Sequence, residues 1–202
     1  MADADLGRVL TQMNMIKVTT LRQLFYLSDS VRTGTLVGLK PSPGLRVTTF
    51  DLPVKEEQCL RNFRDHGVED QCSFIGGDIF KGVPKGFDVV LIKHFLDMFD
   101  KSEVLKILDA VNQSLDVGAQ VNILVPVYPE NIKDSDNYTV DFFPTFFLGC
   151  SMAQGGPQKL STYRSWLEES GFTVTKAISK DPAELPPDAI PVQGILCATK
   201  NA

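Results

Sequence analysis

The fold is decided by the stretch Leu45-Arg-Val-Thr-Thr-Phe-Asp-Leu-Pro53 and by two shorter runs after it, Cys72-Ser-Phe-Ile-Gly-Gly-Asp78 and Phe87-Asp-Val-Val-Leu-Ile-Lys93. Each run is rich in β-branched or aromatic residues, which are typical of strands. Proline ends the first run and glycines end the second. The third is almost entirely apolar, as expected of a parallel strand covered on both faces. Parallel neighbours need crossover connections, so we expect helices between these strands.

Segments with helical spacing follow these runs. From Val54 to His66, charged residues are interleaved with apolar ones, which predicts an amphipathic crossover helix that ends near Gly67. Ser102 can cap a second helix with a broad apolar face, ended by Gly118. A last helix is predicted from Ser161 to Ser170.

The remaining strands set the fold class. Residues 119–126, 172–178 and 192–199 are apolar or β-branched runs that predict strands. No helix is predicted between the last two, so they can pair only as an antiparallel hairpin at the sheet edge. We therefore expect an α/β fold with a Rossmann-like sheet, mostly parallel and ending in an antiparallel C-terminal hairpin.

Two regions of the sequence each allow two interpretations. The first forty residues predict one helix around Leu6 to Ile16 and another around Leu21 to Leu27, and these either cover a sheet edge or bind a partner. Val140 to Ala153 predicts a helix whose aromatic residues either line a substrate pocket or belong to the core. We expect a helical N-terminal extension with a degenerate first strand and loop at 1–40, and a catalytic-type domain at 41–202.

The composition argues against several classes of protein. The 202 residues carry a formal net charge of −5, which gives no basic surface for nucleic acid. The four cysteines are widely spaced and the chain has two histidines, so we expect free thiols and no metal site. No apolar run reaches the length of a membrane span and the N-terminus does not resemble a signal peptide, so we expect a cytoplasmic protein without membrane contact.

Polar residues stand at the predicted carboxyl ends of the strands, where open parallel sheets bind their ligands. Asp51 can accept both hydrogen bonds of a ribose diol. Asp78 offers a carboxylate to an adenine amino group, with Ile79 beside it as an apolar surface, and Lys93 ends the third run. Each aspartate alone could equally cap a helix or a turn, but their joint order indicates a nucleoside site.

From about Gly44 to Lys200 the chain resembles the catalytic domain of the S-adenosylmethionine-dependent O-methyltransferases, which include plant caffeate and flavonoid methyltransferases, acetylserotonin methyltransferase and bacterial polyketide methyltransferases. The matching stretches include Gly77-Asp-Ile-Phe80, Leu91-Ile-Lys-His94, Gly155-Gly156 and Glu169-Ser-Gly-Phe172. The chain is identified as a truncated and divergent member. The resemblance implies a class I methyltransferase sheet of seven strands with a reversed last strand.

The resemblance also implies roles for single residues. Asp51 would hold the ribose of S-adenosylmethionine, Asp78 and Ile79 its adenine, and Lys93 would lie at the cofactor edge. The family's glycine-rich cofactor loop falls around Asp29-Ser-Val-Arg-Thr-Gly34, in which Gly34 is the one glycine.

The chain departs from the family at the catalytic base, because Asp97 stands where the family has a histidine. An aspartate with a pKa near 3.9 is a poor base for a phenol with a pKa near 10, a mismatch of about 8 kcal/mol. Acidic hydroxyls or amines are therefore better acceptors than simple phenols. His94 is the other candidate, but it would point to the opposite face if the strand continued past Lys93. Gln158, which is neutral, lies nearest to the family glutamate that orients the base.

We therefore expect an S-adenosylmethionine-dependent O-methyltransferase that methylates a hydroxyl of a small organic, aromatic acceptor. The alternative is a catalytically inactive methyltransferase-fold protein used for binding or assembly, which the lost glycines and histidine favour. A nicotinamide-dependent oxidoreductase fits less well, because the chain has no GxGxxG motif. Family members dimerise through a large N-terminal helical region that forty residues cannot encode, so a homodimer stays an open alternative.

Overall fold

The computed structural model describes residues 23–28, 45–128, 130, 155–179 and 193–202. The strands are β1 (Gln23–Ser28), β2 (Arg46–Asp51), β3 (Cys72–Gly76), β4 (Val89–Lys93), β5 (Gln120–Tyr128), β6 (Gln158–Lys159), β7 (Phe172–Ser179) and β8 (Gln193–Lys200). The described helices are α1 (Glu56–His66), α2 (Lys101–Ser114) and α3 (Leu160–Glu169). The strands form one sheet in the order β3-β2-β1-β4-β5-β8-β7, and β6 pairs with β5 beside this path.

The pairing directions confirm the predicted fold class. All pairs among β3, β2, β1, β4 and β5 are parallel, whereas β8 runs antiparallel to both β5 and β7. The last two strands therefore form the predicted hairpin, with β7 at the sheet edge.

The helix predicted around Leu21 to Leu27 is wrong, because Gln23–Ser28 form strand β1. This strand lies between β2 and β4 and pairs in parallel with both. A short apolar segment fits a helix face or a strand equally well, and pairing with two neighbours decides in favour of the strand. The helices predicted at 6–16 and 140–153 lie outside the described residues, and the division of the chain at residue 40 stays a prediction.

The N-cap of α2 is Asp100 and not the predicted Ser102. Oδ1 of Asp100 accepts a hydrogen bond from the Glu103 N–H at 2.9 Å, and the Glu103 carboxylate accepts one from the Asp100 N–H at 3.4 Å. This is a capping box, which satisfies two backbone donors at the helix start. The Ser102 hydroxyl donates to the same Oδ1 at 2.8 Å, so it supports the cap.

The hydrophobic core lies on both faces of the sheet. In β4, Val90 and Ile92 belong to the larger apolar cluster, which includes residues of α2 and α3, whereas Val89 and Leu91 belong to a smaller cluster that includes residues of α1. Each of the four is at most 1% exposed. Successive residues of a strand point to opposite faces, so this split confirms a strand covered on both sides.

The cysteines of the described ranges, Cys59, Cys72 and Cys197, are free and buried, as their spacing predicted. Burial raises the pKa of the Cys59 thiol to about 11, with a smaller effect of the Asp51 charge, and burial raises that of Cys72 to about 11. Both are therefore protonated and unreactive at neutral pH. Helices long and apolar enough to cross a membrane are absent from the described part of the chain.

Candidate cofactor and acceptor site

Polar residues gather at the carboxyl edge of the parallel strands. Asp51, the last residue of β2, is in register with Gly76 of β3, and Lys93, the last residue of β4, is in register with Ser28 of β1. Because β1 lies between β2 and β4, Asp51 and Lys93 stand on either side of its tip. This edge is where open parallel sheets bind ligands.

Asp51 is fixed by backbone hydrogen bonds. Its Oδ1 accepts from the Leu52 N–H at 2.7 Å, and its carbonyl accepts from the Gly77 N–H at 2.9 Å. A Cβ at Gly77 would lie only 2.5 Å from the ring of Phe50, so this close approach requires glycine. The contact ties β3 to the tip of β2 and thereby fixes Asp78, the next residue, relative to Asp51.

Asp78 opens the 3₁₀ turn Ile79–Lys81. Its Oδ1 accepts from the Phe80 N–H at 3.0 Å, and its Oδ2 lies 3.5 Å from the Lys81 ammonium. The ion pair is exposed and contributes little, and the Asp78 side chain remains 38% accessible to a ligand. Ile79 is 7% exposed and packs in the larger core cluster, so the apolar contact it offers is small.

The residues present fit an adenosine group. Carboxylates accept hydrogen bonds from ribose hydroxyls and from an adenine amino group, and two stand at this edge, Asp51 at the end of β2 and Asp78 two residues after the end of β3. Gly34 lies outside the described residues, so its predicted contact with the cofactor stays a prediction.

Asp97 lies in the 3₁₀ turn Leu96–Met98, after β4, and is 4% exposed. The turn packs against Gly155, where a Cβ would overlap the carbonyl of Asp97 and lie 2.6 Å from the Phe99 nitrogen. Only glycine allows this contact, because the neighbouring atoms are backbone.

Tyr163 of α3 is the buried polar neighbour of Asp97. Burial, and then the charge of Asp97, raise the pKa of its hydroxyl far above the usual range, so it stays protonated. The backbone of Gln158 acts in the opposite direction and lowers this pKa, while no hydrogen bond of standard geometry reaches the hydroxyl within the described ranges. Tyr163 is a neighbour of Asp97 that sequence reasoning missed, because no spacing rule connects the two segments.

His94 follows the end of β4. Its φ of 48° makes it the one non-glycine residue in the left-handed region among those described, and its N–H donates to the Leu124 carbonyl at 2.8 Å. Because β4 ends at Lys93, the strand alternation that would turn His94 to the opposite face does not apply. The Gln158 side chain donates to the Gly156 carbonyl at 3.2 Å, within its own segment.

The strand order and the antiparallel strands at one end of the sheet define the class I fold of the S-adenosylmethionine-dependent methyltransferases. The mitomycin 7-O-methyltransferase MmcR has this fold, with a TM-score of 0.77 at 23% identity over 98% of this chain and 53% of that one. The human N-acetylserotonin methyltransferase, solved with S-adenosylmethionine, gives 0.72 at 18% identity over 97% of this chain and 52% of that one.

The chain belongs to the O-methyltransferase family, whose domain model matches residues 9–173. It is 28% identical to the mitomycin biosynthesis 6-O-methyltransferase of Streptomyces lavendulae over 136 residues, 67% of this chain and 37% of that protein. It is 23% identical to the phenazine O-methyltransferase PhzM of Lysobacter antibioticus over 140 residues, 69% of this chain and 40% of that protein. The chain thus spans well under half the length of these relatives.

The matches also include a protein named for another reaction. The aclacinomycin 10-hydroxylase RdmB of Streptomyces purpurascens is 32% identical over 83 residues, which are 41% of this chain and 22% of that protein. The similarity of sequence therefore extends beyond proteins named methyltransferases.

Proposed function

We propose that this chain binds S-adenosylmethionine at the carboxyl edge of β2, β3 and β4 and transfers its methyl group to a hydroxyl of a small aromatic acceptor. The supporting observation is the hydrogen bond of 2.9 Å from the Gly77 N–H to the Asp51 carbonyl, which holds the two strand tips together. Asp51 would accept the ribose hydroxyls, Asp78 the adenine amino group, and Lys93 would line the cofactor edge. Family membership supports the assignment.

When bound, the cofactor supplies a sulfonium that activates its methyl group. The protein must then hold the acceptor oxygen in line with that group, because positioning supplies much of the acceleration of such a displacement. Asp97 lies at the place of the family base, at the start of the connection from β4 to α2. As a carboxylate it removes a phenolic proton poorly, so acceptors with acidic hydroxyls fit best.

The test is binding followed by turnover. Calorimetry should detect binding of S-adenosylhomocysteine, and Asp51→Ala should weaken it by at least about 10-fold, since even one hydrogen bond to a charged group is worth about 1.5–3 kcal/mol. Asp109→Ala, on the exposed face of α2, is the matched control and should bind normally. Mass spectrometry with a panel of hydroxylated aromatic compounds would then find the acceptor. A cooperatively folded protein that binds no cofactor would contradict the proposal.

The second candidate is a methyltransferase-fold protein that does not transfer a methyl group. Asp97 in place of a histidine favours it, and so does the similarity to a protein named as a hydroxylase. An experiment can distinguish the two candidates, because only an active methyltransferase consumes S-adenosylmethionine in the presence of an acceptor. Cytoplasmic location, a small-molecule partner and homodimer formation stay predictions for both.

A further inference from the structure

We propose that His94 is a catalytic residue, which accepts the proton of the acceptor hydroxyl as the methyl group is transferred. The inference rests on the proposed methyl transfer and assigns the proton-accepting step to a residue better suited to it than Asp97.

The position of His94 supports this role. It directly follows Lys93 at the end of β4, on the sheet edge that also carries Asp51. Its N–H donates to the Leu124 carbonyl of β5 at 2.8 Å, so the neighbouring strand fixes the backbone where it turns away from the sheet. His94 as a residue is half-buried, so it is not enclosed in the core.

The backbone of His94 is strained. A φ of 48° costs free energy for any residue with a side chain, and a glycine would adopt it readily. Residues held in such conformations concentrate at functional sites, where the surrounding structure imposes them. Among the non-glycine residues that the structure describes, His94 alone shows this feature.

Asp97 is less well placed for the same step. It is 4% exposed, the segment at Gly155 packs directly on its backbone, and its charge acts on the buried Tyr163 hydroxyl. Its environment is therefore that of a residue enclosed by the protein.

The chemistry also favours an imidazole. Its ordinary pKa of about 6.5 lies nearer to that of a phenol than the value of about 3.9 for a carboxylate. In the proposed step the acceptor oxygen forms a bond to the methyl carbon as the carbon–sulfur bond breaks, and the electron pair of the broken bond remains on sulfur. The proton of the hydroxyl moves to the imidazole of His94 and then to solvent.

Nuclear magnetic resonance can test the placement without an acceptor. The chain has two histidines, and the other, His66, lies on α1 with its Nδ1 2.8 Å from the Asn62 carbonyl. S-adenosylhomocysteine should shift the ring signals of His94 and leave those of His66 unchanged, and His66→Gln assigns the two sets. If the ligand raises the unfolding midpoint but the His94 signals do not move, the inference is overturned while the proposed function stands. If S-adenosylhomocysteine changes neither the unfolding midpoint nor the His94 signals, the proposed function itself is contradicted.

Measurements of turnover provide a second test of the role of His94. His94→Asn keeps a residue that tolerates the left-handed conformation but removes the proton acceptor. Turnover should fall about 100-fold or more, the range of general-base catalysis, while the dissociation constant of S-adenosylhomocysteine stays within about twofold. His66→Gln should keep full turnover. An His94→Asn protein with undiminished turnover would overturn the inference.

Discussion

The backbone N–H of Gly77 donates a hydrogen bond of 2.9 Å to the carbonyl of Asp51, and this contact joins the end of β3 to the tip of β2. The approach is close because Gly77 faces the ring of Phe50, and a Cβ would lie 2.5 Å from two of its atoms. Phe50 is itself 5% exposed, so its ring cannot move into solvent. Gly77 therefore holds the backbone that leads into Asp78 against the tip of β2, where Asp51 lies, and these are the two residues proposed to bind the nucleoside.

Gly77→Ala should destabilise the protein and weaken cofactor binding together. Overpacking of a filled site typically costs about 1–3 kcal/mol, and here the added methyl group meets a buried aromatic ring. Urea unfolding should show the loss of stability, and calorimetry should show a lower affinity for S-adenosylhomocysteine, because the strand tips move apart.

The double variant Phe50→Leu/Gly77→Ala is the control for this mechanism. A smaller residue at position 50 leaves room for the added methyl group, so the double variant should bind better than Gly77→Ala alone. If the effects of Phe50→Leu and Gly77→Ala on cofactor affinity simply add in the double variant, the steric explanation is contradicted, since residues in contact are expected to couple.

The strand tips could be predicted from sequence because they carry local signals. Pro53 marks the end of β2, the glycine pair marks the end of β3, and the polar residues follow directly. Local signals do not fix the N-cap of α2, because Asp100 and Ser102 both have capping side chains and lie two residues apart.

Long-range contacts could not be predicted in this way. Strand β1 owes its conformation to pairing with β2 and β4, which no local pattern contains. The packing of Gly155 on the turn of Asp97 joins distant segments, and the left-handed backbone of His94 depends on where β4 ends.

The capping box predicts a dependence of stability on pH. Hydrogen bonds from the Glu103 N–H and then from the Ser102 hydroxyl lower the pKa of Asp100 below its ordinary value of 3.8. The unfolded chain therefore binds this proton more tightly than the folded protein does. The stabilisation is fully present above the unfolded pKa and is lost as the pH falls through the lower folded pKa.

Asp100→Ala should accordingly lower the unfolding temperature at pH 7, and the gap to the wild-type protein should narrow as the pH approaches 3. Thermal unfolding followed by circular dichroism checks this. Asp109→Ala, on the exposed face of the same helix, should show no such narrowing. A gap that stays constant down to acidic pH would mean that the Asp100 charge is not what stabilises the helix start.

Tyr163→Phe should leave stability almost unchanged. The hydroxyl is buried and has no hydrogen-bond partner within the described ranges, so its removal should change the free energy of unfolding by less than about 0.5 kcal/mol or increase it. The ring packs edge-on against Trp166 at 5.4 Å between centroids, and Tyr163→Ala should therefore cost about 3–5 kcal/mol. Urea unfolding of both variants checks this. A loss above about 1.5 kcal/mol for Tyr163→Phe would show that the hydroxyl does bind a partner, with the Gln158 N–H and Asp97 as candidates.

Gly155→Ala should displace the turn that carries Asp97. The new Cβ would overlap backbone atoms of Asp97 and Met98, and backbone cannot rotate aside as a side chain can, so the two segments must separate. We expect a loss of about 1–3 kcal/mol in the free energy of unfolding. Affinity for S-adenosylhomocysteine should fall less than in Gly77→Ala, because Asp51 ends β2 and Asp78 follows β3, and the Asp97 turn reaches that region through the ring contact of Phe99 with Phe80.

Trp166, the single tryptophan of the chain, reports on this change directly. Its ring packs against Tyr163, and the charge of Asp97 acts on the Tyr163 hydroxyl. Movement of the turn that carries Asp97 should therefore alter the tryptophan emission spectrum. Gly76→Ala is the matched control: its Cβ would lie 3.1 Å from Pro53, and it should destabilise the protein modestly without changing the emission. If Gly155→Ala leaves both the emission and the unfolding midpoint unchanged, the segment at Gly155 does not hold the Asp97 turn, which would contradict this prediction.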